Sequence, residues 1–127
     1  MHIETDTLAE LLRLPNRRTF TGLRDYALML FSLDCGARPG ESLQLRAGDF
    51  NLSGLLVTIP APAAKTRQPR TVPITAQTVL AVQALLAAHH PEWGDAPVFC
   101  SEDGTPFREN SWGHRLRRYA AKLGKSI

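Results

Sequence analysis

The stretch GARPGESLQLRAGDF, residues 36–50, decides the fold because it ends an apolar run and places one of its two arginines, Arg38, beside a proline and a glycine at the bend. The residues before it, 23–34, predict a mostly buried helix that stops at the glycine opening the quoted stretch. Arg38 follows, and Glu41 stands three residues later. Two interpretations are open: an Arg38–Glu41 surface pair worth well under about 1 kcal/mol, or a guanidinium held by Glu41 that binds two phosphate oxygens with its planar fork.

Cap and turn signals divide the rest of the chain into further helices. A capping box at Thr7 and Glu10 predicts the start of the first helix, and residues 41–46 predict a short turn or helix. Thr75 is expected to cap a helix that runs to about residue 89. Asn110 or Ser111 is expected to cap the last helix.

β-branched runs predict a few short strands between these helices. The first two form a hairpin with a long loop, and Pro73 indicates an edge strand or a strand end. The expected fold class is α+β, mainly helical, with a small antiparallel hairpin or three-stranded sheet. The expected strands are GLLVTIP (54–60), RTVPI (70–74) and APVFC (96–100).

Length and composition predict one domain over residues 1–127, since 127 residues with 43% hydrophobic content bury one modest core. The net charge is +3 and the isoelectric point near 9.2, which permits a polyanionic partner. The positive charge is concentrated after residue 104, where Glu109 is the single acidic residue. The basic residues of this segment are Arg108, Arg115, Arg117, Arg118, Lys122 and Lys125.

The sequence lacks the motifs of several other functional classes. Cys35 and Cys100 are isolated thiols without a CxxC pair, so we expect neither a disulfide nor a metal site. His89 and His90 are expected to lie at a helix end, where a protonated imidazole favours the dipole. Gly-rich phosphate loops and Ser–His–Asp spacing are absent, and no cofactor is expected. Apolar stretches are shorter than the roughly 20 residues of a membrane span, so we expect a soluble chain.

The order of these motifs resembles the catalytic domain of tyrosine recombinases, the phage integrase family. In that family a helix of the type RDYALLLLLLYTGLR ends at the first catalytic arginine, and a glutamate and an LxLxxxD tail follow. RDYALMLFSLDCGARPGESLQLRAGDF, residues 24–50, puts Arg38, Glu41 and Asp49 at those positions. Ala37 departs from the pattern, which has leucine before the arginine.

Two later segments extend the resemblance over nearly the whole chain. The family's hairpin, typically GKGNKERVVPL, is similar to AKTRQPRTVPI, residues 64–74, which puts Lys65 at the catalytic lysine. Ala64 and Thr66 replace the glycines that flank this lysine. Residues 98–124, VFCSEDGTPFRENSWGHRLRRYAAKLG, are similar to the family segment that ends in a helix before the second catalytic box.

The resemblance implies DNA strand breakage and rejoining through a 3′-phosphotyrosine, without a cofactor. Arg38 would clamp phosphate oxygens, Glu41 would support it, and Lys65 would protonate the departing 5′-oxygen. The family's HxLRH box and nucleophilic tyrosine come after the helix that ends in KLG. We therefore expect residues 1–127 to be the N-terminal part of an integrase-type catalytic domain, truncated before that box and inactive by itself.

The segment HRLRRY, residues 114–119, imitates the second box and even supplies a tyrosine. Arg117 follows Arg38 too closely, and Tyr119 lies only two residues after Arg117, which leaves no room for a separate nucleophile helix. We interpret the segment as an amphipathic helix with Trp112, Leu116 and Tyr119 on its buried side.

Two classes of function remain open, with a plain α+β adaptor as a third, weaker one. The first is a piece of a site-specific recombinase, and the second is a catalytically silent DNA-binding or protein-interaction module on the same scaffold. The expected partners are double-stranded DNA and other recombinase protomers, and neither a membrane nor a small-molecule substrate is expected. The expected location is the cytoplasm of a bacterium, in a protein of bacterial or phage origin associated with the nucleoid. The expected DNA-binding residues, besides the hairpin lysine, are Arg67, Arg70, Arg115, Arg118 and Lys122.

Overall fold

The structure is a computed structural model that describes residues 3–61 and 68–127, and these residues form five α-helices, two short 3-10 helices (Ala47–Asp49 and Pro91–Trp93) and a small sheet. The longest helix, α2, ends at Gly36, which adopts the left-handed conformation with φ 60° and so allows the sharp bend before Arg38. Pro39 then occupies the first position of α3, where its missing N–H costs nothing. The helices are α1 (Thr5–Leu11), α2 (Phe20–Cys35), α3 (Pro39–Ser42), α4 (Ala76–Ala87) and α5 (Glu109–Lys122).

The sheet is antiparallel with the strand order β1-β2-β3, where β1 is Phe50–Asn51, β2 is Leu56–Ile59 and β3 is Arg70–Pro73. Val57 pairs with Val72, and Ile59 pairs with Arg70. The predicted hairpin is therefore confirmed, and β3 is an edge strand, as Pro73 indicated.

The third expected strand was wrong. Residues 96–100 form no strand, and the described segments hold only isolated bridges there, between Arg46 and Pro97 and between Cys100 and Pro106. Proline has no N–H to donate, so neither bridge extends into a ladder. The strand that completes the sheet is β1, which the sequence analysis did not single out.

Four helix starts also differ from expectation. Helix α2 begins at Phe20 and not at residue 23, and α3 begins at Pro39 and not at residue 41. Helix α1 begins at Thr5 after Glu4, with no side-chain cap, so Thr7 lies inside it. Helix α5 begins at Glu109, ahead of the expected cap residues. In α1, burial of Leu8 and Leu11 stabilises the helix, which shows that packing outweighs a local cap preference. The Thr75 cap of α4 is confirmed, since its Oγ1 accepts the Thr78 N–H at 3.3 Å.

The core lies where α2 packs against α4 and the inner face of the sheet. Phe31 of α2, Phe50 of β1 and Phe99 form an aromatic cluster with ring centroids 5.6–6.4 Å apart. The architecture confirms the expected class, mainly helical with a three-stranded antiparallel sheet. In the described ranges no helix has the length and apolar character required to span a bilayer.

Candidate functional site

The bend between α2 and α3 presents Arg38 to solvent. Arg38 is exposed, and its extended backbone immediately precedes α3. Among residues 3–61 and 68–127, no side chain forms an ion pair or hydrogen bond with its guanidinium. The Arg38 side chain is therefore available to an external anion.

Glu41 holds the backbone at this bend. Its carboxylate is buried, with 4% of the residue exposed, and Oε1 accepts the Arg38 backbone N–H at 3.1 Å. Arg70 of β3 donates to both carboxylate oxygens, at 2.8 and 2.9 Å. This hydrogen bonding to Glu41 raises the pKa of Arg70. The Glu41 carboxylate thus holds the main chain of Arg38. The side chain that pairs with Glu41 in a bidentate manner is Arg70, a pairing that the sequence did not predict.

A groove of about 430 Å³ opens beside Arg38. Its lining is mixed, with apolar side chains beside polar ones, and Glu109 supplies a carboxylate at its edge. An added Cβ at Gly40 would lie 2.6 Å from Glu109 Oε1, so the first turn of α5 lies directly against α3. The apolar side chains that line the groove include Ile3, Leu8, Leu33, Ala37, Trp112 and Leu116.

Two predicted site residues, Lys65 and Arg67, lie outside the described residues. The strands on either side of them are paired, and Ile59 of β2 lies opposite Arg70 of β3. The chain that follows Lys65 and Arg67 therefore enters β3, and the first residue of β3, Arg70, contacts Glu41. Of the predicted residues, the structure brings together Arg38, Glu41 and Arg70.

The three predicted basic residues of α5 have different surroundings. Arg118 and Lys122 are exposed, whereas Arg115 is half-buried and its Nε lies 2.6 Å from Asp25 Oδ2. All three line a cleft of about 240 Å³ together with Asn16 and other residues of the α1–α2 loop. Arg118 and Lys122 are free to contact a polyanion, while Arg115 is already committed to an internal carboxylate.

Asp25 is the centre of a buried polar network between α2 and α5. Its Oδ1 accepts from Arg24 Nε and Nη2 at 3.1 and 2.9 Å. Its Oδ2 accepts from Arg115 Nε and the Tyr119 hydroxyl, both at 2.6 Å. Four donors satisfy the fully buried carboxylate, which removes the penalty that an unpaired buried charge would carry.

Arg24 extends this network to the loop before α5. Its Nη1 donates to the Cys100 carbonyl at 3.2 Å, and its guanidinium carbon lies 3.7 Å from the centre of the Phe107 ring. Desolvation by burial lowers the pKa of Arg24. Sequence reasoning missed this network. The available signal was the adjacent Arg24–Asp25 pair inside an otherwise apolar helix, since buried charges in proteins are paired.

Tyr119 is buried, at 8% exposure, together with Trp112 and Leu116, as the amphipathic interpretation of residues 114–119 expected. Burial and the hydrogen bond to Asp25 raise the pKa of Tyr119 to about 12. At neutral pH the phenol is therefore protonated and donates to Asp25, which makes it a poor nucleophile. Tyr26 is only half-buried, and its hydroxyl accepts a hydrogen bond from Gln77 at 3.0 Å.

The two thiols and His89 lie in packed environments and contact neighbouring residues of the fold. Cys35 and Cys100 are free, and burial raises the pKa of each thiol. His89 Nε2 lies 3.0 Å from the Val98 carbonyl, and its ring packs against Phe20. Across the described segments, no group of three or more His, Cys, Asp or Glu side chains could hold a metal ion.

Comparison with known proteins assigns this arrangement to a class of DNA recombinases. The model of the phage integrase family matches residues 2–126. The chain is 32% identical over 114 residues to a tyrosine recombinase of Synechococcus elongatus, covering 90% of this chain and 34% of that protein. It is 27% identical over 110 residues to the tyrosine recombinase XerC of Pelobacter propionicus, covering 87% of this chain and 35% of that protein.

The fold has a solved counterpart in the crystal structure of XerA recombinase, with a TM-score of 0.75 at 18% identity. That match covers the whole of this chain and 45% of the XerA chain. The chain belongs to the phage integrase family, and it corresponds to part of a tyrosine recombinase catalytic domain. It spans about a third of the length of the curated relatives it matches.

Proposed function

We propose that residues 1–127 act as the N-terminal part of a strand-transfer catalytic domain, in which Arg38 binds the phosphate of duplex DNA. The observation that carries this proposal is the exposed Arg38 guanidinium, which has no ion-pair partner among residues 3–61 and 68–127, on a backbone held by buried Glu41. An arginine positioned in this way needs little reorganisation to accept two phosphate oxygens. Family membership supplies the reaction class, DNA breakage and rejoining.

The remaining roles follow from the same proposal. Lys65 is the expected proton donor to the departing 5′-oxygen, and Arg67 beside it is expected to contact the DNA backbone. Glu41 supports Arg38, with Arg70 as its partner. Arg118 and Lys122 extend the phosphate contacts along α5, and Arg115 positions that helix through Asp25.

The proposed partners are double-stranded DNA and other recombinase protomers. A protein that binds chromosomal or phage DNA in this way would act in the bacterial cytoplasm, associated with the nucleoid. A catalytically silent DNA-binding module is the second candidate, and the burial of Tyr119 against Asp25 favours it for this segment taken alone.

Substitution of Arg38 tests the proposal. Fluorescence anisotropy with a duplex two helical turns long should show weak binding, little sequence preference and a steep fall with salt, because phosphate contacts release counterions. Arg38→Ala should weaken binding by about tenfold, the effect of one charge-assisted hydrogen bond. Its melting temperature should stay near wild type, since the guanidinium has no partner in the described part of the chain.

Arg46→Ala is the charge control for the binding measurement, because it removes an equal charge from another exposed arginine, whose guanidinium donates to the Asp95 carbonyl. Equal weakening in both variants would mean that net charge, and not the site, governs binding. A large drop in melting temperature for Arg38→Ala with unchanged DNA affinity would make Arg38 a structural residue and overturn the proposal.

A further inference from the structure

We propose that the loop between α1 and α2 provides a second DNA-backbone contact, remote from Arg38, and this inference rests on the proposed function. The loop contributes Arg13, Arg17 and Arg18, none of which the sequence analysis assigned to a site. Together with Arg118 and Lys122 of α5, these three residues form what we term the arginine tract. Its ligand is the phosphodiester backbone of duplex DNA.

The loop and α5 share a surface. Asn16 and Thr19 of the loop line the same 240 Å³ cleft as Arg118 and Lys122. Asn16 also lines a neighbouring cleft with Arg17 and Arg18. The two clefts therefore meet at Asn16, which places the loop arginines next to the basic side of α5.

The charge on this surface is uncompensated. Arg13, Arg17, Arg18, Arg118 and Lys122 are all exposed. In the described ranges none of these five forms an ion pair with a carboxylate. Glu10 lines a cleft with Arg13 and Arg17, but it pairs with Lys125 at 3.1 Å. A group of cations with no internal partner attracts a polyanion through the field that it creates.

The loop is held rigidly in place. Asn16 Oδ1 accepts the Arg18 N–H at 3.1 Å, and its carbonyl accepts the Thr19 hydroxyl at 2.9 Å. The Arg17 guanidinium lies 4.5 Å from the centre of the Tyr26 ring, an arrangement that leaves its N–H edges free. Less conformational freedom is then lost when the side chains bind an anion.

The length of α5 sets the distance between Arg38 and the arginine tract. The first turn of α5 lies against α3, next to Arg38, and the end of the helix lies near α1, where Lys125 pairs with Glu10. A helix of this length, Glu109–Lys122, extends about 20 Å. That length corresponds to about six base pairs of duplex. The arginine tract would therefore contact the backbone roughly half a helical turn from the phosphate at Arg38.

The test compares two triple variants with the wild-type chain. Arg13→Gln/Arg17→Gln/Arg18→Gln removes the three loop charges, and Arg13→Lys/Arg17→Lys/Arg18→Lys keeps them. Binding to a duplex two helical turns long is measured by anisotropy over a range of salt concentrations. The Gln triple should lower the slope of log affinity against log salt by about 2–3, since each phosphate contact contributes about 0.9. The Lys triple should keep the wild-type slope.

The outcomes separate this inference from the proposed function. Salt-independent binding or no binding by the wild-type chain would contradict the proposed function itself. If wild-type binding depends on salt but the Gln triple keeps the same slope, the proposal that the arginine tract contacts DNA is overturned and the proposed function stands. The exposed arginines would then bind another acidic partner, such as an acidic protein surface. If the Gln triple fails to fold, Arg13→Gln/Arg18→Gln, which leaves the stacked Arg17 intact, should lower the slope by about 2.

Discussion

Two buried carboxylates organise the charged residues of this protein. Glu41 joins the bend at Arg38 to Arg70 of β3, and Asp25 joins α2 to Arg115 of α5. In both cases the carboxylate forms an ion pair with an arginine that the sequence predicted to bind DNA. The arginines without an ion-pair partner in the described ranges, Arg38 among them, are those best suited to bind phosphate.

The ionisation of Tyr119 tests the Asp25 network. Since folding raises the pKa of Tyr119 to about 12, compared with about 10 in an unfolded chain, the folded state favours the protonated phenol. The stabilisation is full below about pH 10 and is lost as the pH rises through about 12. A difference titration of phenolate absorbance between the wild-type chain and Tyr119→Phe should show a midpoint near 12. A midpoint close to 10 would show that Asp25 and burial do not hold the phenol.

At the scale of elements, close contacts fix both ends of α2 against neighbouring segments of the chain. Asp34 at the end of α2 accepts both the backbone N–H and the hydroxyl of Thr75, at 2.8 and 3.1 Å. That contact ties α2 to the start of α4. At the other end of α2, Gly22 lies so near the α1–α2 loop that an added Cβ would be 1.9 Å from the Asn16 carbonyl oxygen.

Substitution of Gly22 should disrupt the packing of this loop. Gly22→Ala puts a methyl group against backbone that must move, and overpacking of this kind costs about 1–3 kcal/mol. Urea unfolding measures the loss. Gly48→Ala is the matched control, since no atom lies within 4 Å of its added Cβ, and its free energy of unfolding should change by less than about 0.5 kcal/mol. Equal effects in the two variants would show that the close approach at Gly22 has no energetic consequence.

At the scale of the whole molecule, α5 connects the two candidate DNA contacts. Its first turn borders the groove beside Arg38, its middle carries the residues that bind Asp25, and its exposed side faces the α1–α2 loop. A single rigid helix thereby sets the spacing between Arg38 and the arginine tract.

The chain by itself should form no covalent adduct with DNA. Tyr119 is buried, and its protonated hydroxyl donates a hydrogen bond to Asp25. Tyr26 lies on α2 nine residues before its last residue, Cys35, which places it roughly 14 Å along the helix axis from the bend at Arg38. Neither phenol is an activated nucleophile beside the phosphate. Incubation with a nicked suicide substrate and denaturing electrophoresis should give no protein–DNA band. A band that disappears in Tyr119→Phe would make Tyr119 a nucleophile.

Local patterns were enough to predict much of the fold and part of the site. Apolar periodicity and the glycine at position 36 predicted α2 and its end, and β-branched runs predicted the hairpin. The ordered motifs around Arg38 predicted the family, which the comparison confirmed. These features are encoded by neighbouring residues, because helix ends and turns depend on contacts within a few positions of the chain.

The partners of the charged residues were decided only by the tertiary structure. Asp25 and Tyr119 are 94 positions apart, and Glu41 and Arg70 are 29 apart. No local spacing relates such residues, since their contact depends on how the helices and the sheet pack. The sequence by itself determined which side chains carry charge and where the chain turns. Tertiary packing decided which charges are neutralised inside the protein and which remain exposed to solvent, because a buried ion is stable only when folding supplies its partner.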